Sequence, residues 1–321
     1  MAKERKRYYP RELGILLAFV ILMVALAVIS DGKSFNVRNL ILVVKQASIN
    51  GILAVGLTFV IISGGIDLSV GSILAVAGVV ASMYAHPGEH HLAVPILLAA
   101  GIGLTLGCVN GVIVAVGKIP PFIATLGMLT MARGLALMLS GGSPIYNLSQ
   151  EFEHLAGATL PLPFSSFRLP ILALYYLVIV LAGAFLLGKT VLGRHIYAVG
   201  GNEMSARVSG VNVVAVKVSV YAVSGLLAGI AGLLLASRIV SGNPTSGNGY
   251  ELDAIAASVI GGVSMSGGAG RWYGVVIGTM FIAVMGNGLD ILGTQPHLQL
   301  IIKGAIIILA VLYDTHAKSR R

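Results

Sequence analysis

Residues Ala93–Val116 and Pro170–Leu187 pass without a single Asp, Glu, Lys or Arg, and similar apolar runs recur from Leu13 to Tyr313. A water-soluble domain has nowhere to put so many uninterrupted apolar stretches. A helix of roughly 20 residues crosses about 30 Å of hydrocarbon and satisfies its own backbone polar groups as it does so. Composition agrees: 10% of the residues are charged, against about 25% in a soluble domain. The expected fold class is an all-α polytopic membrane protein.

Ten spans are expected: Leu13–Ile29, Leu40–Ile62, Leu68–Ala85, Ala93–Val116, Pro121–Leu139, Pro170–Leu187, Val214–Ala236, Glu251–Met265, Tyr273–Leu289 and Leu298–Tyr313. Glu251–Met265 is short and flanked by glycine, which suits a broken or re-entrant helix as well as a crossing. The basic residues Lys3–Arg7, the first apolar run and Ala25-Leu26-Ala27 imitate a secretory leader. That run exceeds the roughly 7–15 residues of a leader and is read as a retained span. An even count places both termini on one side, and a cytoplasmic placement puts fourteen Lys and Arg inside against four outside (Lys33, Arg38, Arg168, Arg238). This is the positive-inside asymmetry. It also accounts for the net charge of +9, since the basic residues are scattered between spans rather than clustered for nucleic acid. One cysteine, Cys108, permits no internal disulfide.

Two halves, residues 1–165 and 166–321, repeat an order of features. GGIDLSVGSILAVAG (64–78) opens a span and is followed by Gly103, Gly107 and Gly111, with Asn110 beside the last. GYELDAIAASVIGG (249–262) opens another and is followed by Gly270, Gly274 and Gly278, then Asn287. Five spans per half make the repeat inverted, an arrangement that builds a pathway around a pseudo-two-fold axis. The glycine rows are read first as close packing within one subunit. Asp67 and Asp253 each begin a helical run after a glycine-rich break and read as N-caps. Both, with Ser69, Asn110 and Asn287, are also candidates for lining a translocation pathway. Arg133 lies inside a span and must snorkel or find an acidic partner, whereas Lys303 is close enough to a span end to snorkel. His86, His90 and His91 cluster in a short loop without a metal-ligand pattern. No metal, cofactor or catalytic constellation is expected.

Residues 183–190, Gly-Ala-Phe-Leu-Leu-Gly-Lys-Thr, match the G-x-x-x-x-G-K-[ST] phosphate-loop pattern. That loop needs a preceding strand and exposed backbone N–H groups; here the letters finish a transmembrane run. The match is therefore accidental, and Lys189 marks the membrane edge. Beyond it, residues 189–217 form a polar island. Within the island, Asn202 is an N-cap residue, Glu203 suits a first helical turn and Gly210 a helix end. Ala206 and Gly210 would permit close docking into a partner's groove, and Arg207 would add a polar contact; an interfacial helix lying on the membrane is the plainer reading.

GGIDLSVGS (64–72), AVGGNEMSARVSGVNV (198–213), GYELDAIAASVIGG (249–262) and SGGAGR (266–271) together resemble the membrane subunits of ribose-type ABC sugar importers, over most of residues 40–313. The resemblance implies a homodimeric permease of the bacterial inner membrane. Its partners would be a periplasmic sugar-binding protein and a cytoplasmic ATP-binding cassette ATPase. Gly200, Gly201, Asn202, Glu203, Ala206, Arg207 and Gly210 would couple it to that ATPase, and the external loops Gly141–Leu169 and Arg238–Tyr250 would meet the binding protein. An ion-coupled secondary sugar transporter is the alternative, against which the sparse intramembrane charge argues.

Overall fold

The computed structural model describes residues 11–161 and 168–319. Its helices are α1 (Arg11–Ile29), α2 (Val37–Ile62), α3 (Val70–Met83), α4 (Ala93–Ala115), α5 (Pro121–Leu139), α6 (Gln150–Gly157), α7 (Ile171–Lys189), α8 (Val191–Gly201), α9 (Glu203–Val208), α10 (Val213–Ile239), α11 (Tyr250–Ile260), α12 (Trp272–Ile291) and α13 (Pro296–Ser319). A short antiparallel ribbon, β1 (Thr159–Pro161) with β2 (Arg168–Pro170), leads into α7. Six helices, α2, α4, α5, α7, α10 and α12, are long and apolar enough to cross a membrane, and shorter apolar segments lie in α1, α3 and α13. The all-α membrane class follows.

Two expected spans have a different form. α3 has 14 residues and α11 has 11, so at 1.5 Å per residue they reach roughly 21 and 16 Å, short of the hydrocarbon thickness. Residues 64–69 ahead of α3 are non-helical, as are 261–271 after α11. The Leu68–Ala85 reading as a full crossing is therefore corrected to a half-length helix behind an irregular lead-in, and Glu251–Met265 stops helically at Ile260. Irregular backbone at this depth is tolerated only where protein covers it; Asp67 and Ser69 are fully buried.

α10 is the central post, packed by α2, α3 and α4. The glycine row of α4 meets it directly: a methyl group on Gly103 would sit 2.3 Å from the Gly225 carbonyl oxygen, and one on Gly107 equally close to that of Tyr221. The helices run antiparallel at backbone contact, so the row is intrasubunit packing, as its sequence suggests. α12 seats on α11 in the same manner, Gly278 against Ala257.

The stretch expected as an external loop after Arg238 folds inward. Gly242 pairs with Ile145, and the chain then follows α3 until a methyl on Gly247 would lie 2.6 Å from the Gly71 carbonyl oxygen. Gly242, Pro244 and Gly247 are buried. This loop is a wall of the bundle, not a projection.

Candidate functional site

The polar island forms two short helices at one end of the bundle. Thr190 caps α8, its side chain accepting from Gly193 N at 3.1 Å. Gly193, Ile196 and Val199 point inward, a helical spacing that seats one face on the membrane bundle. Asn202 breaks the helix and caps α9, its Oδ1 accepting from Ser205 N at 2.8 Å. Gly210, at φ +85°, closes α9. Gly210 N donates to Arg207 O and Val211 N to Ala206 O, both at 3.0 Å, the paired bonds of a Schellman end. Only glycine adopts that φ without strain. The sequence reading of Asn202, Glu203 and Gly210 as cap, first turn and stop describes this helix correctly.

The exposed face of α9 is not the one read as a docking face from the sequence. Ala206 is buried against its own chain, while Met204 and Val208 are 69% and 81% exposed. Glu203 is clasped by Lys217 at 2.6 Å and by Arg207 at 3.2 Å. The hydrogen bond from Lys217, reinforced by the nearby cations, holds the Glu203 carboxyl below its ordinary range. The clasp therefore contributes fully above that range and is lost as acid carries the pH through the lowered value. It ties α9 to the first turns of α10. The sequence signal missed was the pair Met204 and Val208, apolar residues one helical turn apart on an otherwise polar segment.

Gly200 has a separate task. A methyl there would fall 1.7 Å from the Ile62 carbonyl oxygen and 2.7 Å from Gly268 N, while Gly268 N itself donates to Ile62 O at 2.8 Å. Gly267 in turn sits against Gly64, with an added methyl 3.0 Å from its Cα. Tyr197 Oη donates to Gly270 O at 2.7 Å. Three separate sequence segments thus cross at bare backbone: the end of α2 with its GGID turn, the end of α8, and the SGGAGR loop. The first leads into α3 and the last follows α11, so α8 abuts the connections to both half-length helices.

Asp67, Ser69 and Asn110 come together at mid-height of α10. Asp67 Oδ1 accepts from Ser69 N at 3.0 Å and from Ser69 Oγ at 2.6 Å, and its Oδ2 accepts from Ser224 Oγ at 3.0 Å. Asn110 Nδ2 donates to Ser69 Oγ at 2.8 Å. Asp67 is thus not the N-cap of α3, which is Ser69; it pins the irregular lead-in to α4 and α10. With all three residues fully buried, the cluster holds backbone in this conformation and presents no open surface. Asp253 is likewise no cap: Gly249 occupies that position in α11, and Asp253 Oδ2 accepts from Lys303 Nζ at 2.9 Å. Lys303, expected to reach for the interface, is instead turned inward on this pair. Asn287 exchanges two 2.8 Å hydrogen bonds with Asn39, linking α12 to α2. Arg133 donates to the Pro244 and Ser246 carbonyls and lies within electrostatic reach of Glu251. Gly183–Lys189 lies within α7, where the helix uses its own N–H groups, so no phosphate loop forms.

Residues 39–311 match the model of the branched-chain amino acid transport system / permease component family. The chain belongs to this permease family. It is 41% identical to the ribose import permease protein RbsC of Escherichia coli K12, over 96% of both chains. It is 43% identical to RbsC of Bacillus subtilis 168, over 97% of this chain and 96% of that one. The xylose transport system permease protein XylH of E. coli K12 is 34% identical over 95% of this permease and 92% of its own length. No solved structure matches the permease.

Proposed function

We propose that this permease is the membrane subunit of an ATP-binding cassette importer for a monosaccharide, with ribose the first substrate to test. Near-full-length similarity to two ribose permeases carries the reading. ATP hydrolysis belongs to a separate cytoplasmic ATPase, and sugar arrives on a periplasmic binding protein. Two copies enclose one path on a two-fold axis, each in the bacterial inner membrane with both termini in the cytoplasm. Within each copy, residues 1–165 and 166–321 act as inverted halves. The α8–α9 element, residues 189–214, receives the ATPase's motion, and the glycine junction passes it to α3 and α11 together, tilting the two half-length helices between outward- and inward-open states.

Reconstitution into proteoliposomes tests the class: ribose uptake should require the ATPase, ATP and the binding protein. Uptake by the permease alone would instead indicate an ion-coupled carrier or facilitator. The exposed apolar pair on α9 supplies the coupling test. Met204→Asp with Val208→Asp should leave the fold intact, since neither side chain packs inward, yet weaken ATPase association by about tenfold or more, as loss of two apolar contacts of about 1–2 kcal/mol requires. Unchanged co-purification of the ATPase would remove α9 from the interface.

A further inference from the structure

Gly247 meets Gly71, which precedes the end of α3 at Met83 by twelve residues. With the end of α3 taken at the membrane surface, 1.5 Å per residue puts this contact roughly 18 Å down the helix axis, past the middle of a hydrocarbon layer about 30 Å thick. At that depth the 243–249 segment leaves Thr245 and Asn248 exposed on the surface of the single subunit. Polar side chains cannot face lipid there without losing hydrogen bonds worth several kcal/mol. The segment is built to present them. Arg133 on α5 holds the Pro244 and Ser246 carbonyls from behind, and Asn243 Oδ1 accepts from both Thr245 N and Thr245 Oγ1, at 2.9 and 2.8 Å. Glu251 Oε1 accepts from Gly249 N at 3.2 Å and fixes the entry to α11. Among the described residues the Asn248 amide has no hydrogen-bond partner.

Resting on the importer reading above, we propose that Thr245 and Asn248 form a hydroxyl-binding wall of the translocation pathway, with Arg133 and Glu251 as positioning residues. The Thr245 hydroxyl, its proton engaged by Asn243, can accept, and the Asn248 amide can both donate and accept, which matches sugar hydroxyls. The two charges nearby oppose each other, so the wall suits a neutral polyol rather than a zwitterion or an anion. α11 starts directly after this wall, so tilting α11 would change which side of the membrane the wall opens to.

Cysteine labelling tests the placement without any sugar. In a Cys108→Ser background, Thr245→Cys and Asn248→Cys are compared with Leu177→Cys, a position on α7 whose apolar side chain is 52% exposed. With a membrane-impermeant charged thiosulfonate reagent, the first two should react about tenfold faster or more, since a thiol pKa raised one unit by lipid already removes nine-tenths of the thiolate. In the assembled importer with saturating ribose-loaded binding protein, Asn248→Ala should lower the ribose taken up per ATP hydrolysed roughly fivefold, the equivalent of one neutral hydrogen bond. Labelling no faster than at Leu177→Cys, or unchanged ribose uptake per ATP, overturns the wall. Absence of uptake by the unmodified assembly would sink the importer reading and leave the labelling contrast standing.

Discussion

Gly200→Ala is expected to abolish coupled uptake, whereas Gly201→Ala, one residue away, leaves it intact. The added methyl at Gly200 would stand 1.7 Å from the Ile62 carbonyl oxygen, and at Gly201 it would meet nothing within 4 Å. The obstacle at Gly200 is backbone on both sides, Ile62 O and Gly268 N, which no rotamer change relieves. The end of α8 would have to back away by more than an ångström, breaking its register with α2 and the 264–268 turn. Overpacking of this kind costs about 1–3 kcal/mol or more. Its larger effect is on transmission, because α9 then moves without carrying the lead-in to α3 and the loop after α11. ATP hydrolysis and ribose uptake measured together in proteoliposomes check this. Equal uptake by the two variants would show that the junction is passive.

Asp253→Ala should lower stability by about 3 kcal/mol, the low end for stranding one partner of a buried ion pair. The Asp253 side chain is 10% exposed and that of Lys303 26%, so the abandoned ammonium keeps some access to water and the upper end does not apply. Removing both charges with Lys303→Met should restore most of the loss, since a packed apolar pair avoids the desolvation that the ion pair must offset. Thermal unfolding in detergent of the two single variants and the double variant gives the coupling. A double variant no more stable than Asp253→Ala would mean that the pair is incidental and that α11 depends on Asp253 for another reason.

Much of this architecture is legible in the residue string because a bilayer is a severe solvent. Runs such as Pro170–Leu187 have one stable environment, and their helicity follows from the need to satisfy the backbone internally. Capping chemistry is equally local: Asn202, Glu203 and Gly210 behave as their side chains and dihedral preferences require. Asp67 and Asp253 were harder to place. Both follow glycine-rich breaks, which is the local signature of a cap, yet partners on other helices claim them: Ser224 on α10 for Asp67, and Lys303 on α13 for Asp253. Ala206 misled for the converse reason, since a small residue in a polar segment looks like a docking position until the fold turns it inward.

The sequence by itself determined the solvent, the helical class, the caps of the α8–α9 segment and the family, because each is written in contiguous residues or in composition. Tertiary structure alone decided that Leu68–Ala85 is half a crossing, that residues 242–249 run along α3, and that Gly64, Gly200 and Gly268 belong to one junction. Those outcomes depend on which backbones approach within a few ångströms across intervals of up to about two hundred residues. A glycine announces that something comes close; only the packed helices say what.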